Sequence, residues 1–175
     1  MNQLRLLNLE VSRDLSDGGA VLQSIVDGAP GLSRWIVVIP RYWPEAANQM
    51  GERAFWRVQA QKRQAVKLIA EYGHVDGKLP KFAGQVTLRM IRLWAKRCRA
   101  KDTSNLHAST KFVEDALKCS RGREKRRRLG VITDDSPRYM TPEWEQWSSQ
   151  NGRGYCIIVV TGRLATEQLS LGGAA

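Results

Sequence analysis

The chain has few residues that would crosslink it or hold it in a bilayer. Its three cysteines, Cys98, Cys119 and Cys156, are an odd number at wide spacings, which argues against a disulfide framework and against a zinc site of the Cys-x-x-Cys kind. A metal site built from Cys98, His107 and Cys119 is disfavoured because the ligand spacings of zinc motifs are missing. No apolar run approaches the roughly 20 residues that cross a bilayer, and the first ten residues do not resemble a secretory signal. We expect a cytoplasmic protein with free thiols and no membrane partner.

Acidic residues are also scarce, with 17 Asp and Glu against 28 Lys and Arg, a formal net charge of +11 and a pI near 10.1. Residues 85–128 hold 14 Lys and Arg against four acids, so a net +10 lies in one quarter of the chain. Such a concentrated field suits a polyanion, because each neutralised phosphate releases condensed counterions. An acidic membrane surface is disfavoured, since no basic amphipathic helix with a bulky apolar face occurs there.

The length of 175 residues suits one ordinary domain. Hydrophobic periodicity predicts strands and helices in alternation, typical of a mixed α/β (α+β) domain in which a small mixed sheet packs with two main helices. We expect an extension of unclear role over residues 1–33, the main domain over 34–162 and a tail over 163–175. The predicted elements are a strand over 35–39 ended by Pro40, a helix over 52–72 stopped by Gly73, a strand over 85–93, a helix over 105–119, a short strand starting at 131–132 and a closing strand over 155–161. The strand over 85–93 is predicted from the alternation of Val86, Leu88 and Met90, and the helix over 105–119 from Leu106, Val113 and Leu117 on one side.

Within these elements, several side chains have expected positions. The first helix should bury Phe55, Val58, Val66 and Ile69, with the stem of Lys62 on the same side. The second should begin at Ser104 or Asn105 as N-cap and carry a Glu114–Lys118 pair on its polar flank, while Asp115 pairs with Lys111 or caps a loop. For the tryptophans, we expect Trp35, Trp56 and Trp94 in the core, and Trp43, Trp144 and Trp147 either at a DNA surface or, more commonly, in core or dimer contacts.

Two groups of carboxylates are candidates for binding a metal ion, one within this cationic quarter of the chain and one just after it. Asp102 follows the predicted strand, and Asp134 and Asp135 lie in a later loop. If folding brings them together they could hold Mg²⁺ or Mn²⁺, which orients and acidifies a water for phosphodiester hydrolysis. Neighbouring Lys and Arg would keep their pKa values low and the carboxylates ready for metal. The alternative for Asp134-Asp135-Ser136-Pro137 is a plain turn, because Asp, Ser and Pro are turn formers.

Three segments together carry a family resemblance: Asp102-Thr103-Ser104-Asn105-Leu106, then Lys111 with Asp115-Ala116-Leu117, then Gly130-Val131-Ile132 with Asp134-Asp135-Ser136-Pro137 and Tyr139. This pattern resembles the RusA-like Holliday junction resolvases, whose motif runs Asp-x-Asp-Asn-Leu, a helical Lys before Asp-Ala-Leu, and Gly-Val-Ile with a double Asp. The specific motifs lie between Asp102 and Tyr139, although the order of elements is similar from Trp35 to Thr161.

The resemblance implies an endodeoxyribonuclease that dimerises and nicks a four-way or other branched DNA symmetrically with Mg²⁺, or Mn²⁺ as a substitute. It implies that Asp102, the position of Ser104 and Asp135 hold metal, and that Lys111 steadies the scissile phosphate. In a nuclease that stays active despite Ser104, we expect Asp134 to compensate as a metal ligand. We expect phosphate contact from a further set of cations, which are Arg97, Arg99, Lys101, Arg121, Arg123, Arg126, Arg127 and Arg128.

Ser104 departs from the family pattern, which has a carboxylate at this position. Because a hydroxyl is a far poorer ligand for a hard dication, one metal position should be weak or lost. The sequence therefore leaves a weakened nuclease and a catalytically silent binder of branched DNA both open. A third alternative, an enzyme of small acidic metabolites, predicts behaviour insensitive to salt, whereas phosphate contacts to DNA weaken steeply as salt rises.

Overall fold

A computed structural model of the chain describes residues 31–44, 54–75, 77–94, 101–119, 128–149 and 153–165. These residues form a small α+β fold, as predicted, with a mixed sheet and two main helices. The elements in chain order are strand β1 (Ser33–Pro40), helix α1 (Ala54–Gly73), strand β2 (Phe82–Trp94), helix α2 (Thr103–Leu117), strand β3 (Met140–Ser148) and strand β4 (Tyr155–Leu164).

The strands lie in one sheet in the order β1-β4-β2-β3. Strand β4 pairs antiparallel with both β1 and β2, so the strand predicted to close the fold lies inside the sheet. Strand β3 pairs parallel with β2 from Val86–Met140 to Trp94–Ser148, and α2 connects the two as a crossover helix. The sequence prediction missed β3, because Met-Thr-Pro-Glu-Trp-Glu-Gln-Trp-Ser lacks a β-branched run and contains Pro142, which strands tolerate mainly at a sheet edge. Among the described strands, β3 occupies such an edge.

Both helices pack on one face of the sheet. The strand alternation predicted for β2 is confirmed, since Val86, Leu88 and Met90 are buried against Ile69 of α1 and Leu117 of α2 in one apolar cluster. Burial of this apolar area is the main stabilising contribution to the fold. A second, smaller cluster lies on the other side of the central strands and is formed by Ile91, Leu93, Ile157 and Val159.

Helix α1 ends where Trp35 of β1 crosses it. The buried indole nitrogen of Trp35 donates to the carbonyl of Gly73 at 2.7 Å. A Cβ at residue 73 would lie 2.5 Å from the Trp35 ring, so the close approach of this ring to the backbone leaves room only for glycine. At the other end of α1 the predicted core positions are wrong: Phe55 and Trp56 are exposed, Trp56 by 75%, and pack edge to face on each other. Val58 and Val66 are partly buried against the main cluster and Ile69 is fully buried, so the exposed aromatic pair lies in the first turn of α1.

The remaining tryptophan predictions have mixed outcomes. Trp35 is buried as expected, whereas Trp94 is only partly buried. Trp43 and Trp144 pack against the main cluster, and Trp147 is exposed by 42%. The ring of Trp144 also lies 4.2 Å, centroid to centroid, from that of His107 on α2. Of the three tryptophans expected at a DNA surface or in core contacts, Trp43 and Trp144 therefore contact the core and Trp147 does not.

Candidate functional site

Asp102 caps the N-terminus of α2. Its backbone is extended, with φ −63° and ψ 160°, and its carboxylate accepts hydrogen bonds from the Asn105 amide at 2.8 Å, the Ser104 hydroxyl at 2.7 Å and the Asn105 side-chain amide at 2.5 Å. The prediction that Ser104 or Asn105 is the N-cap is therefore wrong. Aspartate is among the best N-cap residues because its carboxylate satisfies amides that have no partner in the first turn.

These hydrogen bonds set the pKa of Asp102. The bond from the Asn105 amide, then those from the Ser104 and Asn105 side chains, stabilise the charged form and lower the pKa of Asp102 to about 2. The expectation of a low pKa is met here by hydrogen bonding within four consecutive residues and not by neighbouring cations. Ser104 itself points its hydroxyl at Asp102, so it acts as a donor to the carboxylate.

The loop that carries the other carboxylates is tied to the end of α2. The amides of Val131 and Ile132 donate to the Leu117 carbonyl at 2.8 and 3.1 Å, and the Cys119 amide donates to the Ile132 carbonyl at 2.9 Å. The short strand expected at 131–132 is present as a single bridge between Ile132 and Lys118. Beyond it, the side chain of Asp134 accepts from the Asp135 amide at 2.9 Å, and a turn then leads into β3.

This loop places Asp135 against two lysines of α2 and its end. One oxygen of Asp135, Oδ2, accepts a hydrogen bond from Lys111 Nζ, 24 residues earlier in the chain, and lies 3.0 Å from Lys118 Nζ. Burial alone would raise the pKa of Asp135, but the hydrogen bonds and charges of the two lysines outweigh it and hold the pKa well below its usual range. For this carboxylate, the expectation that cations keep it ionised agrees with the structure.

The lysines belong to a larger network in which charges alternate. Lys118 Nζ also lies 2.9 Å from Asp115, which in turn lies 3.2 Å from Lys62 of α1. Lys111 lies 3.5 Å from Glu114 and 3.9 Å from Asp115, which confirms the predicted pairing of Asp115 with Lys111. The predicted Glu114–Lys118 pair on a polar flank is wrong, because Glu114 is buried and accepts from Thr110 at 3.0 Å while Lys118 turns to Asp115 and Asp135.

Lys111 and Lys118 stay protonated. Burial lowers the pKa values of Lys111 and Lys118, but the hydrogen bonds and charges of Asp135 and of the acids on α2 more than reverse this and raise both values. Sequence reasoning did not select Lys62 or Lys118 as site residues. The usable signal for Lys118 was its place three residues after Asp115, a spacing that brings side chains together on a helix.

The two candidate carboxylate positions lie at different levels of α2. Asp102 precedes its first residue, whereas Asp135 contacts Lys111 and Lys118 in its second half and at its end. Lys111 lies nine positions after Asp102, a helical rise of about 13 Å, whereas carboxylates that share one Mg²⁺ each lie about 2 Å from it. The structure thus joins Lys111 with Asp135 and leaves Asp102 apart. Within the described ranges, no group of three His, Cys, Asp or Glu side chains is arranged to hold a metal ion.

Most of the expected DNA-contacting cations lie outside the described residues, and only two can be located. Lys101 precedes the Asp102 cap, donates from Nζ to Ser109 at 2.7 Å and is bonded through its backbone to Gln146 of β3. Arg128 donates to the Cys119 carbonyl at 3.4 Å, next to the start of the carboxylate loop. The predicted residues outside the described ranges are Arg97, Arg99, Arg121, Arg123, Arg126 and Arg127.

No family model matches the chain, and no curated protein matches it. The resemblance described above therefore rests on the motif residues themselves. In the part of the chain that the structure describes, neither helix combines the length and apolar composition needed to traverse a bilayer.

Proposed function

We propose that the chain is a divalent-metal-dependent endonuclease that cuts four-way or other branched DNA, acting in recombination and repair as RusA-like resolvases do. The observation that carries the proposal is the contact between Lys111 and Asp135. These residues belong to two motif segments 24 positions apart, and the resemblance assigns one to the scissile phosphate and the other to metal. Their meeting in the fold is what a shared phosphate site requires.

The donor set at this loop fits a small Mg²⁺ site. Mg²⁺ in proteins usually keeps several waters and is held by one or two carboxylates together with substrate phosphates. Asp134 and Asp135 are adjacent carboxylates of this kind, and Asp102 does not join them in this arrangement. When bound, such an ion supplies an acidified water and a positive charge near the leaving oxygen. A site completed by the DNA phosphate is consistent with a chain that has two carboxylates at this loop.

The protein's own side chains would bind and orient the DNA strand. Lys111, whose side chain is 47% exposed, can contact a phosphate oxygen from the solvent side. Lys101 and Arg128 would contact the flanking backbone, and the net positive charge of the sequence over 85–128 supports binding of a polyanion. We propose a two-fold homodimer, the commonest assembly of identical chains, because two such sites would nick two strands of a junction symmetrically.

The test is a nicking assay on a four-way junction and on a linear duplex of the same sequence, with Mg²⁺, with Mn²⁺ and with EDTA. We expect paired nicks at symmetric positions on the junction with either metal, little cutting of the duplex, and none in EDTA. Binding of the junction without any nick at either metal would reject the nuclease.

Catalytically silent binding of branched DNA is the second candidate, and the hydroxyl of Ser104 favours it. Its bond to Asp102 at 2.7 Å occupies the carboxylate that the resemblance assigns to metal. In that case the junction is bound without cutting, and affinity still falls steeply with salt because phosphate contacts release counterions. Salt-insensitive binding would point away from DNA for both candidates.

A further inference from the structure

The two lysines at Asp135 occupy unlike environments. Both contact the same oxygen, Oδ2, but the side chain of Lys118 is 13% exposed and that of Lys111 is 47% exposed. Lys111 leaves α2 in mid-helix, where solvent covers much of its length, whereas Lys118 is the C-cap residue and has extended backbone, with φ −69° and ψ 161°. A lysine with little exposure has fewer conformations open to it than one that reaches into water.

The backbone of Lys118 is joined to the segment that presents Asp135. Its carbonyl accepts from the Gly130 amide at 3.3 Å, and it forms the bridge with Ile132. The residues on either side of it, Leu117 and Cys119, hydrogen bond to the same segment. Asp135 follows Ile132 by three positions, so the donor and the acceptor of the Lys118–Asp135 contact are attached to one hydrogen-bonded unit.

The far side of Lys118 is held as well. Asp115 lies 2.9 Å from Lys118 Nζ and 3.2 Å from Lys62 Nζ, so a cation of α1 balances the carboxylate that Lys118 uses. The order of contacts is Lys62, Asp115, Lys118 and Asp135, with opposite charges at every step. Groups that hydrogen bond to a metal-ligating side chain orient it, and removing such a group commonly lowers metal affinity or activity by roughly 10- to 100-fold.

We propose that Lys118, held by Asp115, is the positioning residue for Asp135, and that this leaves Lys111 able to move from Asp135 to a phosphate of the DNA. The phosphate part rests on the proposed function, whereas the positioning part concerns the protein alone. With Oδ2 kept by Lys118, the other oxygen of Asp135 has a fixed direction. Lys111 then exchanges one anion for another without leaving Asp135 unpaired.

The positioning part is tested on the protein in EDTA by two double-mutant cycles read by thermal unfolding. One cycle combines Lys118→Met with Asp135→Asn, and the other combines Lys111→Met with Asp135→Asn. We expect the first pair to be non-additive by about 2 °C or more in the unfolding midpoint, and the second to be nearly additive. Equal coupling in the two cycles, or stronger coupling of Lys111, would overturn the proposal whether or not the protein cuts DNA.

The catalytic consequence is tested by the Mn²⁺ concentration that gives half-maximal junction cutting. Lys118→Met should raise this concentration about 10-fold, and Lys118→Arg should bring it part of the way back to the value of the unaltered protein. Lys111→Met should lower the maximal cutting rate and leave the half-saturating Mn²⁺ concentration unchanged. An exposed lysine of α1, changed as Lys67→Met, is the matched control. If Lys118 only competes with the ion through its charge, its removal lowers the half-saturating concentration, and the positioning role is wrong. If the unaltered protein binds but never cuts, the proposed nuclease fails while the cycles in EDTA still decide the role of Lys118.

Discussion

An aspartate lies at each end of α2, and the two stay ionised for different reasons. Asp102 is fully exposed to solvent, and hydrogen bonds from Asn105 and Ser104 lower its pKa to about 2. Asp135 is mostly covered, and two lysines from elsewhere in the chain lower its pKa. The same charge state is thus reached by a local backbone motif in one case and by tertiary contact in the other.

This difference decides which aspartate is suited to exchange its partners. The bonds at Asp102 come from the peptide chain that begins the helix, so replacing them with a metal would uncap α2. The partners of Asp135 are lysine ammonium groups, which can turn to a phosphate when one arrives. The comparison therefore favours Asp135, at the carboxyl end of α2, as the carboxylate of the proposed metal site, and identifies a helix cap at the other end.

The largest expected effect is on cutting. If Asp135 holds the metal ion, Asp135→Asn should reduce junction nicking by about 100-fold or more. Loss of a residue that only supports a metal ligand costs up to about 100-fold, and loss of the ligand itself should cost at least as much. Asp102→Asn should reduce nicking far less, because asparagine accepts the same capping bonds. Initial rates in Mg²⁺ measure both.

The matched control is Glu143→Gln, an exposed carboxylate of β3 with the same charge change. It should leave the rate near that of the unaltered protein. Equal losses for the Asp102 and Asp135 variants would mean that both hold the ion during catalysis, and the distinction drawn here between the two ends of α2 would not survive.

A smaller effect on cutting is expected at Ser104. Ser104→Asp replaces the hydroxyl that donates to Asp102 with the carboxylate of the family pattern, so two acidic side chains then lie at the N-terminus of α2, where the helix dipole favours negative charge. Because the proposed metal site is at Asp135, the cutting rate should change far less than in Asp135→Asn. Ser104→Ala is the control that removes the hydrogen bond without adding an acid. A clear gain of cutting by Ser104→Asp alone would show that the N-terminal end of α2 holds the ion, against the contrast drawn here.

The sequence was sufficient for much of the fold because the signals are local. Alternation at Val86, Leu88 and Met90 identified β2, and the apolar spacing of Leu106, Val113 and Leu117 identified α2. It failed where tertiary context overrides the pattern. Trp56 has a core-type side chain but lies on α1 away from the sheet. Strand β3 forms because β2 offers it a parallel edge, although its sequence contains few strand-favouring residues.

Some residues of the candidate site were predictable from the sequence, but its geometry was not. Motif spacing selected Lys111 and Asp135, which the structure brings into contact. It also grouped Asp102 with Asp135, and the length of α2 between them keeps these two apart in this arrangement. Lys118 was assigned to Glu114 by helical spacing, but a longer-range partner, Asp135, competes for it. Long-range pairing of this kind has no signature in a single sequence.

Acid should weaken one end of α2 more than the other. The pKa of Asp135 in the folded protein lies below the value of about 3.9 in an unfolded chain, so its pairing contributes full stability above about pH 5, and this contribution is lost as the pH falls through the folded value. The unfolding midpoint of the unaltered protein should therefore fall by several degrees more than that of Asp135→Asn between pH 5 and pH 2. Circular dichroism melts at low and moderate salt measure this, and parallel curves would show that the lysine pairing does not stabilise the fold.

The smallest expected effect is at the cap. Asp102→Ala removes the acceptor of the Asn105 amide and should lower the unfolding midpoint by a few degrees at pH 7, whereas Asp102→Asn should leave it nearly unchanged, since both Asp and Asn are preferred at this position. The stabilisation at Asp102 has the same pH sign as that at Asp135, because its pKa of about 2 is also below the unfolded value, but it is exposed and more easily screened by salt. If the asparagine variant lost as much stability as the alanine variant, the charge at this end of α2 would matter more than its hydrogen bonds. Both ends would then depend on electrostatic attraction, and the contrast between a capping aspartate and a lysine-held one would reduce to a difference in burial.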